Sequence, residues 1–325
     1  YYSRDKCEDI NMFNVSSAPS YFVLADYLDV GGLKYLYFLI TVALYAVILA
    51  ANVLLILVIC VNRSLHEPMY MFLCSLFVNE LYGSTGLFPS LLLQILSDIH
   101  TVSAPACFLQ IYCLYTYVNV EFCNLAVMSY DRYLAICCPL QYSTLMTCDR
   151  VLVFIVLLWL FSFVKFLITL SLNVHLTLCG NTISSIYCRN YLIVKLACSD
   201  TKVNDVYGLF ATAVSISVPL LPILFSYTKI LQVCFSGSRQ TRQKAVSTCT
   251  PHLVSLLNFS FGCLYEILQS RFDTSRVPSL LRILLSLYFV ILQPLLNPIM
   301  YGLQMSKIRH TCKELFTNKM FRNPA

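Results

Sequence analysis

Residues 128–140 read Met-Ser-Tyr-Asp-Arg-Tyr-Leu-Ala-Ile-Cys-Cys-Pro-Leu. They begin at the end of a long apolar segment and run into a short polar loop. Asp131 and Arg132 stand side by side at that boundary, flanked by Tyr130 and Tyr133. An ionisable pair where a helix leaves a membrane is costly to keep idle, so by default it marks function. The fold turns on whether the chain around this stretch is a membrane bundle.

Composition says that it is. Of 325 residues, 58% are apolar and only 12% charged, whereas soluble domains carry about 25% charged residues. Seven runs are long enough to cross roughly 30 Å of hydrocarbon. Runs 35–61, 206–228, 245–265 and 283–306 contain no Asp, Glu, Lys or Arg. Runs 68–97, 99–130 and 151–178 hold one charge each, Glu80, Glu121 and Lys165. Barrel strands need only about ten residues of alternating polarity, so the reading is all-α, a seven-transmembrane-helix bundle. It divides the chain into an extracellular N-terminal segment (1–34), a seven-span domain (35–303) and a cytoplasmic tail (304–325).

In that tail Met305, Ile308, Cys312, Leu315 and Phe316 recur at helical spacing, with Lys307, Arg309, Lys313 and Lys319 between them. This pattern predicts a short amphipathic eighth helix on the anionic inner leaflet, with Cys312 as a candidate acylation point. The net charge of +6 is scattered and forms no basic run interleaved with aromatics, which excludes a nucleic-acid partner and leaves membrane lipids. Basic residues favour the loops carrying Arg63, Arg150, Arg239 and Arg242 as the inner side only weakly, with the first helix's flanks opposed, and the outer cysteines and the sequon break the tie. Asn14-Val15-Ser16 is then an outward glycosylation acceptor. Cys107, Cys179, Cys188 and Cys198 share the outer face, an even set that predicts two bridges with three pairings open. No transition metal is expected, because Cys137, Cys138, Cys249 and His252 lack a second spaced pair. The 5 His are dispersed, so no catalytic set is expected and the chain does not read as an enzyme.

Several polar groups lie inside the spans. Glu80 and Glu121, with Asn52 and Asn297, form a candidate site where two acids share a proton or hold a cation such as sodium; no other cofactor is expected. Pro219, Pro222, Pro294 and Pro298 break helical hydrogen bonds that neighbours must repair, which makes Asn297-Pro298-Ile299-Met300-Tyr301 a candidate moving part. Tyr112, Tyr115, Asn119, Tyr207, Phe210 and Ile267 are the candidate walls of an outer cavity for a small organic ligand. Arg271 at its mouth would hold a carboxylate, or pair with Asp273 or Glu266. A rival class is a channel or transporter using Glu80 and Glu121. Transporters usually show paired halves, and no such internal repeat is visible here.

Together these motifs resemble the vertebrate olfactory (odorant) receptor family, within the rhodopsin-like G-protein-coupled receptors. MSYDRYLAICCPLQY is similar to the family's MAYDRYVAICxPLxY, and KAVSTCTPHL to its KAxSTCxxHL. HEPMYMFLCSL, PLLNPIMYGLQ and CFLQ from Cys107 fit as well. The runs EILQSRF and LRILLSLYFVILQPLLNP look like the class I, fish-like branch. The resemblance implies an odorant ligand, a stimulatory heterotrimeric G protein and a multi-pass place in the plasma membrane. It also implies bridges Cys107–Cys188 and Cys179–Cys198. Arg132 would reach the G protein once released from Asp131, with Tyr133, Tyr227, His252, Asn297, Pro298 and Tyr301 rearranging. Three residues depart from the family: Glu80 stands where Asp is usual, Ser260 where Tyr is common and, as a minor change, Ser129 where Ala is usual.

Overall fold

In lipid a backbone satisfies itself through a helical ladder or a closed barrel, and here it forms helices. The computed structural model describes residues 19–27, 31–236, 239–271, 277–305 and 307–313. Asn14, Asp273, Leu315, Phe316 and Lys319 lie outside the described residues, and so does the side chain of Arg271. The long helices are α1 (Lys34–Val61), α2 (Pro68–Leu96), α3 (Ala104–Cys137), α5 (Cys148–Val174), α7 (Lys202–Ser236), α8 (Arg239–Arg271) and α9 (Ser279–Gln304). Two short ones lie in loops, α4 (Pro139–Leu145) and α6 (Asn190–Lys195). The end of the bundle that carries the cysteine bridges is called outer below.

Helix ends differ from the charge-free runs in a consistent way. α7 and α8 extend past their runs at the inner end, and α8 continues through Arg271, which the sequence reading placed just beyond the helix. Charges mark where hydrocarbon ends, but Lys, Arg and Gln are good helix formers and the ladder continues through them. Pro139 opens α4 where α3 stops, the position at which a missing N–H costs least.

By length and apolar composition alone α1, α5 and α7 qualify as spans, as does α9 taken as two segments bent by 42°. α1 and α5 expose Leu39, Val47, Leu57, Val156, Leu160 and Leu167, an apolar surface suited to lipid rather than water. α2 and α3 carry less apolar sequence because they supply the buried polar interior, including Asn79, Glu80, Asn119, Glu121, Asn124 and Asp131. They approach closely at Gly83 and Gly86. A Cβ on Gly83 would collide with the Tyr117 ring, and one on Gly86 would lie 2.8 Å from Cys113 Cβ, so small residues set this crossing.

The carbonyl that Pro298 leaves free in α9 has an identifiable repair. Pro298 has no N–H to offer the Pro294 carbonyl four residues earlier. The buried Asn52 of α1 donates its amide to that carbonyl at 3.0 Å and to Ile48 O at 2.9 Å. After α9, residues 307–313 are helical again. Ile308 packs in the inner apolar cluster with Met305 and Cys312 at its edge, while Lys307 pairs with Glu67 at 2.6 Å and has its pKa raised by that hydrogen bond.

The outer end holds an element absent from the sequence reading, which left 1–34 without structure. A three-stranded sheet in the order β2-β1-β3 joins Tyr21–Leu24 (β1), Thr101–Ser103 (β2) and Thr182–Ile183 (β3). β1 runs antiparallel to β2, with Tyr21 opposite Ser103, and parallel to β3, with Val23 opposite Thr182. Its side chains alternate as strand geometry requires: Tyr21 is exposed, while Phe22 and Leu24 are buried against Cys107, Cys188 and Ile183. Burying the Phe22 ring contributes roughly 1.5–3 kcal/mol.

Candidate functional site

Three features line up from the outer to the inner end. The first is a cavity of about 1020 Å³ walled by α3, α5, α7, α8 and the long loop after α5, large enough for a small organic ligand. Its walls are mainly apolar, with polar groups gathered toward the outer end. There Arg189 Nη2 lies 3.4 Å from Glu266 Oε1, which also accepts the Tyr187 hydroxyl at 2.7 Å. Arg282 pairs with Asp26 at 3.1 Å. Cys107–Cys188 and Cys179–Cys198 are both formed, and the first fixes the loop segment bearing Tyr187 and Arg189 against the top of α3.

The structure sorts the candidate ligand residues by face. Tyr115, Asn119 and Ile267 line the cavity, and so does Ser260. Tyr112 turns instead toward α5, stacking on Phe163 and donating to its carbonyl at 3.4 Å. Tyr207 does not line the wall; its hydroxyl donates to the Lys165 carbonyl at 3.0 Å and pins α7 to α5. Phe210 is 63% exposed on the outer surface of α7. Arg271 brings only its backbone into view. The Glu266 considered as its partner is already held by Arg189 and Tyr187. Lys165 was not singled out from the sequence, although its Nζ donates to Asn119 Oδ1 at 2.5 Å. The signal was present as the single charge in an otherwise apolar span.

Below the cavity lies the acid cluster. Phe122 lines the cavity and meets Phe259 edge-on at 4.9 Å, and Phe259 meets Tyr117 at 6.3 Å. The Tyr117 hydroxyl donates to Glu80 Oε2 at 3.0 Å. Asn297 Nδ2 bridges the two acids, donating to Glu80 Oε1 and, at 3.0 Å, to Glu121 Oε1. Asn79 donates to Glu121 Oε2 at 3.0 Å and Gln293 to Oε1 at 3.2 Å. The cluster thus ties α2, α3 and α9 together in a fully buried site. Asn52, expected beside the acids, donates to the Pro294 carbonyl of α9 instead and leaves its Oδ1 without a hydrogen-bond partner. Among the described residues no three His, Cys, Asp or Glu side chains group as a metal site.

At the inner end Arg132 donates to Asp131 Oδ2 through Nε at 3.0 Å and also through Nη2. Asp131 is buried and accepts a further bond from the Tyr142 hydroxyl at 2.8 Å. Burial, and after it the Asp131 charge, push the Tyr142 pKa up, so this hydroxyl remains a donor. His252 of α8 joins three helices. Its Nε2 lies 2.9 Å from the Leu125 carbonyl, an acceptor only, so Nε2 carries a proton; in the neutral ring Nδ1 then accepts from Tyr227 of α7. Tyr133 packs edge-on against Phe225 of α7 at 5.4 Å. Tyr301 is buried against Phe77 at 6.4 Å, its hydroxyl without a partner, and Pro298 stands one turn before it in α9.

Comparison with known proteins places this geometry. The family model described as "Olfactory receptor" matches residues 41–319. The chain is 33% identical to olfactory receptor 11A1 of Homo sapiens over 302 residues, 92% of this chain and 94% of that one. It is 35% identical to olfactory receptor 2G6 of Homo sapiens, over 92% of this chain and 95% of that one. It is 33% identical to olfactory receptor 5M5 of Mus musculus, over 89% and 91% respectively. A seven-helix bundle with the YDRY boundary, the KAVSTC entry to α8 and near full-length likeness to these proteins has one reading: the chain belongs to the olfactory receptor family.

Proposed function

We propose that this receptor binds a small organic odorant in the outer cavity, with its N-terminus outside the cell. The bound odorant shifts an inactive–active equilibrium, so that the inner ends of α3, α7 and α8 engage a stimulatory heterotrimeric G protein and raise cAMP. The observation that carries the reading is the Leu125–His252–Tyr227 clamp, which holds α3, α8 and α7 together beneath the cavity. A ligand moves such an equilibrium only through unequal affinity for its two states. Phe122 and Ser260, both in the cavity wall, lie next to the Phe259 contact that leads to Tyr117 and Glu80. Outward movement of α7 and α8 separates Tyr227 from His252 and opens the space that Arg132 faces. Arg239 and Arg242 are exposed at the start of α8 and would meet the partner.

The test is a cAMP readout in cells co-expressing a stimulatory G protein, screened with acids, amines, alcohols and amino acids. A dose-dependent rise is expected. A ligand-evoked current in membranes lacking any G protein would favour the channel alternative through Glu80 and Glu121.

A sodium ion at the acid pair belongs to the same proposal. Glu80 and Glu121 present oxygen, the donor hard cations take, Asn297 holds both acids through its Nδ2, and the nearby Asn79 Oδ1 is buried without a hydrogen-bond partner. Bound there, the cation would neutralise the paired carboxylates and hold α2, α3 and α9 in their inactive packing. Sodium is therefore expected to lower agonist potency in the wild type and to have no effect in Glu80→Ala. Equal sodium sensitivity in both, measured as the shift in agonist dose–response, would sink the cation site.

A further inference from the structure

An ammonium group inside a membrane bundle is costly unless a counter-ion or a full set of acceptors surrounds it. Lys165, the single charged residue between 151 and 178, is 8% exposed on the inward side of α5. Its Nζ donates to Asn119 Oδ1 at 2.5 Å and to Ser215 Oγ. It lies 4.6 Å from the Phe166 ring centroid and 5.4 Å from that of Phe161. Every one of these partners is neutral. Among the described residues no carboxylate pairs with it. Glu80 and Glu121 are taken up by amides and Tyr117, and Glu266 by Arg189 and Tyr187.

The position of this charge is what makes it informative. Asn119, Ser215 and Phe166 all line the cavity, so the ammonium, which does not itself line it, lies immediately behind that wall, one hydrogen bond away. Toward the mouth, Arg189 and Arg282 already have carboxylate partners, and Lys195, also in the lining, lies over the Tyr191 ring at 4.6 Å. Lys165 has no such carboxylate among the described residues, and its ammonium has three donors against two hydrogen-bonded acceptors. A neutral carbonyl would fill the third donor but leave the charge uncompensated. An anion does both, and in a low-dielectric site opposite charges attract far more strongly than in water.

We infer that Lys165 is the deep anchor for a ligand's carboxylate, seated against Asn119 and Ser215, with the ligand's apolar chain lying along Val118 and Phe122. The inference rests on the cavity being the odorant site and names the ligand class that site prefers. It sets the acid-recognising charge within the bundle on α5, whereas Arg271 closes α8 at the outer end.

The test uses the purified full-length receptor in lipid nanodiscs, read by its thermal melting midpoint. The probes are hexanoate, octanoate and decanoate, each against its methyl ester, which keeps the chain and removes the anion, together with neutral alcohols. Wild type is expected to be stabilised by an acid at concentrations roughly tenfold or more below its ester, the scale of a charge-assisted hydrogen bond. Lys165→Met should lose that preference while responding to esters as before, and Lys165→Arg should retain it. The ligand-free midpoint of Lys165→Met should be no lower than that of wild type, because an unpaired buried charge is gone. Lys165→Gln, which keeps a donor to Asn119, serves if the Met variant folds poorly. Acids that stabilise Lys165→Met or Lys165→Gln as well as wild type would overturn the anchor while leaving the cavity as an odorant site. Failure of all acids to stabilise wild type would also overturn it; if alcohols and esters failed too, the cavity reading itself would fall.

Discussion

An Arg132→Ala receptor is expected to bind odorant normally and to lose odorant-driven nucleotide exchange on its G protein. In the closed bundle the guanidinium spends two donors on Asp131 Oδ2, and Tyr142 holds the other carboxylate oxygen at 2.8 Å. The arginine touches neither the cavity nor the acid cluster, so truncating it leaves the ligand's contacts intact. What disappears is the group that, in the proposed mechanism, activation frees to face the partner. The complementary variant has the opposite sign. Asp131→Asn removes the charge that restrains Arg132, and a hydrogen bond to a charged group contributes about 1.5–3 kcal/mol. Basal exchange should therefore rise roughly ten- to hundredfold, since about 1.4 kcal/mol is a factor of ten. Both are measured as guanine-nucleotide exchange in membranes with saturating G protein. Odorant-driven exchange that survived in Arg132→Ala would remove the latch from the mechanism.

The second large effect is expected at the outer end. Cys107→Ser should leave little receptor at the cell surface, whereas Cys179→Ser should leave a measurable fraction. The Cys107–Cys188 bridge spans 81 residues and joins the first turn of α3 to the loop over the cavity. Closing a loop of that length restricts the unfolded chain by about 4–5 kcal/mol, against about 3 kcal/mol for the 19-residue Cys179–Cys198 loop. The first figure is comparable to the whole stability of many domains. The first bridge also positions Tyr187 and Arg189, so its loss removes the partners of Glu266 and opens the mouth. Surface immunostaining beside odorant potency separates the two variants. Equal surface levels would show that loop length does not rank these bridges.

Much of this was legible in the sequence because lipid imposes a simple rule. Long runs with at most one charge can only be helices, and a carboxyl inside such a run must find partners, which is why Glu80, Glu121 and Asn297 could be grouped before any coordinates. Pairing of the four outer cysteines was not legible from spacing; it followed from resemblance to the family. The faces of α3 were harder. Tyr112 and Tyr115 are equally plausible as cavity walls on paper, because lipid, neighbouring helix and cavity all accept an aromatic ring, and apolar periodicity fades when both sides of a helix are apolar. Phe210 misled for the same reason and faces outward. Lys165 escaped notice because a lone cation in a span has no sequence partner to pair with; its partners, Asn119 and Ser215, sit on other helices. The sheet was missed because Tyr21–Leu24 is too short to declare itself, and its partners are β2 and β3 in distant loops.

That small sheet has a consequence in time. β1 leaves the ribosome before both of its partners, and its parallel partner ends at Ile183, about 160 residues later. At roughly 5–20 residues per second, the edge of β1 that faces β3 waits on the order of ten to thirty seconds unpaired. Four residues of Tyr-Phe-Val-Leu in that state are a sticky edge of the kind folded proteins keep covered. An outer segment made before both of its partners is thus fully secured only after the second has formed, and any delay in forming the long loop after α5 is felt at β1.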